Sequence, residues 1–255
     1  MKKNSISIIT PTYNSSKYIA ETIQSVISQT YIDWELIIID DCSSDDTTEI
    51  VESFILLDER IKLIRNQNNR GAAFSRNAGM IKSKSNYLAF IDGDDVWEKD
   101  KLQKQLLFMK DNNISFSFTA YSIIDNLGNS TGRTVDSKQK GSFTYEDMLA
   151  KKATLGCSTV MLNKNSFKGL LQMPELRTGQ DYAFWLKLLK NTNQKAYILP
   201  SVHTKYRITP NSISRNKFKK AKRQWEIYRN NENLNLIMSS YYFYFYTFRA
   251  IFRTS

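Results

Sequence analysis

Histidine occurs once in 255 residues, as His203. A His-rich zinc site is therefore excluded, as is any H-x-x-x-H metal pair. A Ser-His-Asp triad would need His203 itself, and no G-x-S-x-G elbow supports one. Cysteine is nearly as scarce. Cys42 and Cys157 lack metal-ligand spacing and two thiols build no disulfide framework, so a reducing, cytoplasmic compartment is the natural expectation. Four prolines and nine glycines argue against long linkers or low-complexity disorder, and no internal repeat is visible. No apolar run approaches the about 18 residues that a membrane-spanning helix needs. Met1-Lys2-Lys3 leads straight into a strand-like stretch, so no secretion signal is expected. Acidic residues are sparse at one end of the chain. From His203 onward eleven Lys and Arg face only Glu226 and Glu232, while the remainder is close to neutral. Such asymmetry points to an anionic partner, either membrane lipid or nucleic acid.

What is present in the first half is an alternation of short apolar runs with helical periodicity. Ile6 to Ile9 has the composition of a buried strand, and Ile19, Ile23, Val26 and Ile27 recur at helical spacing. Trp34 to Ile39 is a second strand, ending at Asp40-Asp41, and Ser44 or Asp45 can cap a helix running through Leu57. Ile61 to Ile64 is a third strand and Ala72 to Ile81 a helix of small residues. A fourth strand, Tyr87 to Ile91, closes on Asp92-Gly93-Asp94-Asp95. This β-α-β-α order predicts an α/β fold with a mostly parallel sheet flanked by helices. Ligands bind beyond the carboxyl ends of such strands, so Thr10 to Asn14, Asp40-Asp41 and Asp92 to Asp95 should converge in space. Further on, Phe116, Phe118 and Ala120 alternate like a half-buried strand and Asp125 to Asn129 form a turn. Gly156 to Leu162 suggests another strand, and Asp181 to Leu189 a helix.

Three carboxylates within four positions, Asp92, Asp94 and Asp95, repel one another unless a cation is present. Hard oxygen donors select Mg²⁺ or Mn²⁺, which commonly share their coordination sphere with substrate phosphates. An acidic turn before a helix starting at Trp97-Glu98-Lys99 is the alternative. A carboxylate at Asp40-Asp41 can accept hydrogen bonds from a nucleotide's ring N–H or ribose hydroxyls, or simply favour a helix N-terminus. Tyr13 can stack on a base or pack. Arg70 and Arg76, flanking Gly71, can reach a diphosphate or serve as solvated surface arginines. Asp181 alone fits a helix N-cap after Gly179-Gln180 as well as it fits chemistry.

Ser7-Ile8-Ile9-Thr10-Pro11-Thr12-Tyr13-Asn14, Glu35 to Asp45, Asn69-Arg70-Gly71 with Ser75-Arg76-Asn77-Ala78-Gly79, and Phe90 to Asp95 resemble the motifs of family-two glycosyltransferases of the GT-A fold, in family order and at family spacing. Thr178-Gly179-Gln180-Asp181-Tyr182 resembles the start of the family's catalytic helix. The resemblance implies an inverting transferase that moves a hexose or N-acetylhexosamine from a UDP-linked donor to an acceptor hydroxyl with Mn²⁺ or Mg²⁺. It implies that Pro11, Thr12, Tyr13, Asp41, Arg76 and Asp92 bind the nucleotide, that Asp94 with Asp92 holds the metal, and that Asp181 is the general base. Two departures stand out. Gln180 replaces the usual Glu, and Thr209, within Tyr206 to Ser214, stands where the family commonly has His; His203 could substitute there, with a buried structural histidine as the alternative. The implied organisation is a catalytic domain over residues 1–212, divided into a nucleotide-sugar half (1–112) and an acceptor half (113–212), with a helical extension over 213–255.

In that extension Lys217, Lys219, Lys220, Lys222 and Arg223 precede the aromatic run Tyr241 to Tyr246, Phe248 and Phe252. Cations beside aromatics suit a membrane interface, and a helix packed on the body or on a second subunit is the alternative; removal of the segment after Asn235 is expected to leave a soluble, folded body with weaker membrane association. Membrane contact would suit a lipid-linked acceptor such as an undecaprenyl diphosphate sugar, in bacterial surface-polysaccharide assembly at the inner face of the plasma membrane. Two other classes remain open on the residues alone. A metal-dependent nucleotidyltransferase would use paired carboxylates, although no Gly-rich phosphate loop is present. A membrane- or nucleic-acid-binding module would use the basic tail, although a nucleic acid would be repelled by the acidic strand ends.

Overall fold

A computed structural model describes residues 4–209 and 217–252. Residues 1–3, the 210–214 part of the last motif and the expected boundary between residues 212 and 213 lie outside the described residues, as do the side chains of Lys217 and Phe252.

The first half builds four parallel strands and the helices between them. These are β1 (Ile6–Thr12), α1 (Ile19–Ile27), β2 (Trp34–Asp40), α2 (Thr47–Ile55), β3 (Ile61–Arg65), α3 (Ala72–Lys82) and β4 (Tyr87–Phe90). Every residue of β1 is buried, as expected of a strand covered on both faces. Side-chain alternation divides the strands between two cores. Ile9, Ile37, Ile39, Leu88 and Phe90 enter one, and Ile6, Ile8, Leu36, Ile38 and Ala89 enter the other. α1 seals the second core with Ile19, Ile23 and Val26. α3 seals the first at close range because Gly79 has no side chain. A Cβ there would lie 2.6 Å from Ile9 Cγ2 and 2.7 Å from Ile39 Cδ1.

The second half continues the same sheet with β5 (Val96–Trp97), α4 (Lys101–Asp111), β6 (Phe116–Ile124), β7 (Ser130–Val135), β8 (Ser142–Phe143), α5 (Tyr145–Leu149), β9 (Val160–Asn163), α6 (Gln180–Lys190) and β10 (Ala196–Arg207). The order is β3-β2-β1-β4-β9-β6-β10-β5, with β7 on β6 and β8 on β10. β9 is antiparallel to both β4 and β6, while β6 and β10 are parallel. The sheet flanked by helices is the expected GT-A architecture, and every antiparallel pair among the described residues involves a strand of the second half. α6 is anchored by Trp185, which meets Phe116, Phe90 and Phe184 with ring centroids 5.4, 5.8 and 5.1 Å away.

Three local expectations shift. The helix expected at Trp97 begins at Lys101, because Val96–Trp97 pairs with β10 and Trp97 Nε1 donates to the Ser158 carbonyl at 2.8 Å. The strand expected from Gly156 begins at Val160, after a 3₁₀ turn over Cys157–Thr159. α2 starts after Asp46, and Asp45 accepts the Thr47 N–H at 3.2 Å from one residue further out.

α7 (Lys217–Glu226), a π-helical turn (Ile227–Asn231) and α8 (Leu236–Phe252) complete the described chain. They pack on the body. Ile227, Tyr228 and Tyr242 are buried in the first core, and Tyr228 donates to the Leu149 carbonyl. Among the described residues no helix is long and apolar enough to cross a membrane.

Candidate active site

The ends of β1 and β2 are bound together by their own polar side chains. Asp40 accepts from Ser43 N at 3.0 Å and from Ser43 Oγ at 2.5 Å, forming the turn that leaves the strand. Asn14 takes a left-handed φ of 47° and accepts from Ser44 N at 2.8 Å, while Asp45 accepts from Ser16 N at 3.1 Å. These contacts spend the polar groups of Asp40, Asp45 and Asn14 on construction. Asp41 is different. It lines the cleft, and its carboxylate gathers the following loop by accepting from Asn66 Nδ2 (2.8 Å), Arg70 N (3.0 Å) and Gly71 N (2.6 Å). Pro11, Thr12, Tyr13, Asn69 and Gly71 form the same wall, and half of the Tyr13 surface is open to solvent.

At the end of β4 the three carboxylates diverge. Asp92 pairs with Arg76 Nη2 at 2.5 Å. Asp94 faces the cleft. Asp95 turns inward, fully buried, where it accepts from Ser158 Oγ at 2.5 Å and Arg207 N at 2.9 Å. Asp95 thus ties the β4 loop to β9 and β10 and is no part of an open metal cluster. Burial drives its carboxyl far above the usual range, with the neighbouring carboxylates adding to the shift. Burial first, and the Asp92 charge second, push the Asp94 carboxyl up to about 6. Gly93 lets this loop approach β1, since a Cβ there would lie 3.1 Å from Thr12 Oγ1.

Arg76 is not the solvated arginine that its polar surroundings in the sequence allow. It is buried within α3. Burial works against its charge, and Asp92, with a smaller contribution from Asp181, more than restores it, so its pKa stands above the ordinary value. Its Nε and Nη1 are buried with no hydrogen-bond partner. Asn77, one residue on, clamps Met173 through both its amide atoms at 2.7 and 2.9 Å and so ties α3 to the segment leading to α6.

The opposite wall is Arg177, Thr178, Gly179, Gln180 and Asp181, together with Tyr206, Thr209, Lys220 and Arg223. Gly179 is left-handed, with φ 75°, and precedes α6, so Asp181 sits in that helix's first turn. The cleft encloses about 680 Å³. Pro11, Thr12, Tyr13, Asp41, Arg76, Asp92, Asp94 and Asp181 line it, whereas Arg70 does not and lies 3.6 Å from the Glu175 carboxylate. Nor does His203 line it. It is buried between Ser201 and Asp100, with Nδ1 3.1 Å from the Asp100 carboxylate, and burial lowers its pKa. Missed from sequence were Lys220 and Arg223, which the composition had grouped with the tail. Their i, i+3 spacing just before Ile227-Tyr228, a buried pair, is the signal that one face of α7 points inward.

Among the described residues no three carboxylate, histidine or cysteine side chains are disposed to hold a metal by themselves. Two carboxylates at an open cleft do fit a hard divalent cation whose shell a substrate diphosphate completes. The elevated Asp94 carboxyl is the group such a cation would stabilise in its charged form.

A family model described as Glycosyl transferase family 2 matches residues 7–170. The chain is 42% identical over 246 residues to TuaG of Bacillus subtilis (strain 168), a glycosyltransferase assigned by inference to teichuronic acid biosynthesis, with 96% of each chain covered. It is 40% identical over 222 residues to WfgD of Escherichia coli, a UDP-Glc:alpha-D-GlcNAc-diphosphoundecaprenol beta-1,3-glucosyltransferase, covering 87% of this chain and 84% of that one. Among solved structures, S. aureus TarS 1-349 in complex with UDP-GlcNAc superimposes with a TM-score of 0.74 at 22% identity, covering 97% of this chain and 73% of that one. That likeness shows the fold.

Proposed function

This chain belongs to glycosyl transferase family 2, and from that premise we propose an inverting transfer in which Asp181 is the base and Asp92 and Asp94 form the metal-facing side of the donor site. It is a glycosyltransferase, so the nucleotidyltransferase alternative falls away. The carrying observation is that Asp181, Asp94 and the Asp41 wall, far apart in sequence, line one cleft of diphosphate-sugar size.

The donor's nucleoside lies against Pro11, Thr12, Tyr13 and Asp41, and its diphosphate reaches the Arg76–Asp92 pair and Asp94. Asp92 and Asp94 would hold a divalent cation, Mn²⁺ or Mg²⁺, which would supply neutralisation of the charge that develops on the departing diphosphate. An acceptor hydroxyl oxygen attacks the anomeric carbon from the face opposite the nucleotide. As the new C–O bond forms, the bond to the diphosphate oxygen breaks with its electron pair, and Asp181 receives the hydroxyl proton. One displacement inverts the anomeric centre. Arg76 is ion-paired with Asp92, and the Asp181 charge further favours its charged form.

For substrates we take our lead from the relatives. The donor is a UDP-hexose or UDP-N-acetylhexosamine, and the acceptor is a sugar carried on undecaprenyl diphosphate, in assembly of a bacterial surface polysaccharide. The chain divides into a nucleotide-sugar half (1–112), an acceptor half (113–212) and an extension (213–255) that rests peripherally on the inner face of the membrane.

The test is Asp181→Asn, which keeps size and hydrogen bonding but removes the basic site. Transfer should fall roughly 10²–10⁴-fold while UDP affinity survives, and the wild-type product should carry inverted anomeric configuration by NMR. Retained configuration, or near-normal turnover by the variant, would defeat the reading.

A further inference from the structure

We infer that Arg177, Lys220 and Arg223 form a second anion site in the cleft, one that takes the diphosphate of the acceptor. The inference rests on the acceptor class proposed above and adds to it the groups that recognise it.

Consider first where the cleft's cations find their counter-charges. Arg76 is paired with Asp92. On α7, Lys222 reaches Glu226 at 4.0 Å. Arg177, Lys220 and Arg223 line the cleft and form no ion pair among the described residues. Lys220 and Arg223 are three residues apart on one helix, on the face that carries Ile227 into the core. Like charges one turn apart oppose each other, and both burial and Arg223 lower the Lys220 pKa. Three unpaired cations converging on a cleft are an arrangement that an anion stabilises, and an arginine fork binds phosphate oxygens in pairs.

The position of the site selects which anion. A Cβ on Gly179 would lie 2.8 Å from Arg223 Cδ and 3.0 Å from Ile227 Cδ1. The Arg223 stem therefore crosses the left-handed turn that opens α6, two residues from Asp181. Whatever binds Arg223 is a neighbour of the base, and the base serves the acceptor. In a sugar diphosphate acceptor the reacting hydroxyl and the anomeric phosphate lie on one ring, so placing the hydroxyl at Asp181 brings the diphosphate within reach of these cations. The donor's diphosphate has its own partners in Arg76 and in the cation that Asp92 and Asp94 would hold. Recognition of the diphosphate, rather than of the lipid alone, would exclude free sugars and neutral glycosides as acceptors.

Calorimetry on full-length protein saturated with UDP and Mn²⁺ tests this, with N-acetylglucosaminyl farnesyl diphosphate as the probe and octyl N-acetylglucosaminide as its neutral counterpart. Wild-type protein should bind the diphosphate probe far better than the neutral glycoside. Lys220→Gln and Arg223→Gln should each weaken probe binding roughly tenfold, as expected for loss of a charged hydrogen bond. UDP affinity should change much less. Since Lys220 is exposed, its variant folds even if replacement of Arg223 loosens α7. Probe binding unchanged in both variants would overturn the anion site and leave the acceptor class standing. Loss of UDP affinity with probe binding intact would assign the cations to the donor instead. Wild-type protein that prefers the neutral glycoside would overturn the acceptor class and this site together.

Discussion

Asp41 accepts from Asn66, Arg70 and Gly71 and also faces the cleft, so its removal acts twice. Asp41→Ala takes away a proposed nucleoside contact and loosens the loop that carries Asn69 and Gly71. We expect the UDP dissociation constant, measured by calorimetry, to rise at least tenfold, with kcat at saturating donor falling much less. An unchanged constant would remove Asp41 from the nucleoside pocket. Asp94 answers to a different test. Burial and the Asp92 charge outweigh Arg207 and Arg76 and hold its carboxyl at about 6, so a cation is what would let it face a diphosphate in its charged form. Excess EDTA should abolish transfer and Mn²⁺ or Mg²⁺ should restore it, while Asp94→Ala should leave a folded protein that no metal rescues. Full turnover in EDTA would overturn the metal assignment. At this scale the sequence showed which aspartates cluster but not which of them face outward. Asp40, Asp41, Asp92, Asp94 and Asp95 share a side chain and all stand at strand ends. Only the positions of Ser43, Asn66 and Ser158 decide that Asp40 and Asp95 are structural, and Ser158 comes from a 3₁₀ turn 63 residues away from Asp95.

Helix α3 shows what was legible at the scale of elements and what was not. Its existence follows from periodicity, and β1 to β4 follow from their apolar runs, because local contacts fix these elements. The burial of Arg76 was also written in the chain. Arg76 lies three residues from Ala73, three from Gly79 and four from Met80, on a face otherwise apolar or small. β9 was less legible: it is a four-residue strand whose neighbours, β4 and β6, are set by the whole sheet. Gly79 is the residue that sets the height of α3. Alanine ordinarily gains about 1 kcal/mol over glycine inside a helix. Here its Cβ would meet Ile9 and Ile39 at 2.6 and 2.7 Å, and overpacking of that kind costs about 1–3 kcal/mol. Gly79→Ala should therefore lower the urea midpoint rather than raise it. It should also reduce transfer, because lifting α3 moves Arg76 from Asp92. A raised midpoint would show that the sheet yields without cost.

Positive charge and aromatic side chains are both frequent from His203 onward, and the structure divides this inventory into two uses. Lys220 and Arg223 line the cleft, Lys220 at its exposed rim, while Lys219, Lys222 and Phe218, also exposed on α7, lie outside it. α8 is likewise two-faced. Tyr242 is buried against Tyr228, and Phe243 packs on Trp225. On the other side Ile237, Tyr241, Tyr244 and Phe248, spaced by four, three and four residues, form an exposed stripe. Deleting α8 would strip Tyr242 from the core, so truncation after Asn235 removes packing as well as the stripe and is a poor probe. Substitution on the exposed face is the sharper one. Burial of a large apolar side chain contributes roughly 1.5–3 kcal/mol, and each lysine near an anionic surface about 1 kcal/mol. Ile237→Glu with Tyr244→Glu should therefore reduce co-sedimentation with phosphatidylglycerol vesicles more than about tenfold, leave the melting temperature nearly unchanged, and spare UDP binding. The residual binding should weaken further as salt is raised, because it rests on the exposed lysines. Equal sedimentation of the wild-type and doubly substituted chains would remove the membrane from the stripe and leave it as a contact between protein subunits, which sedimentation velocity would then reveal as a dimer dissociated by the same two substitutions.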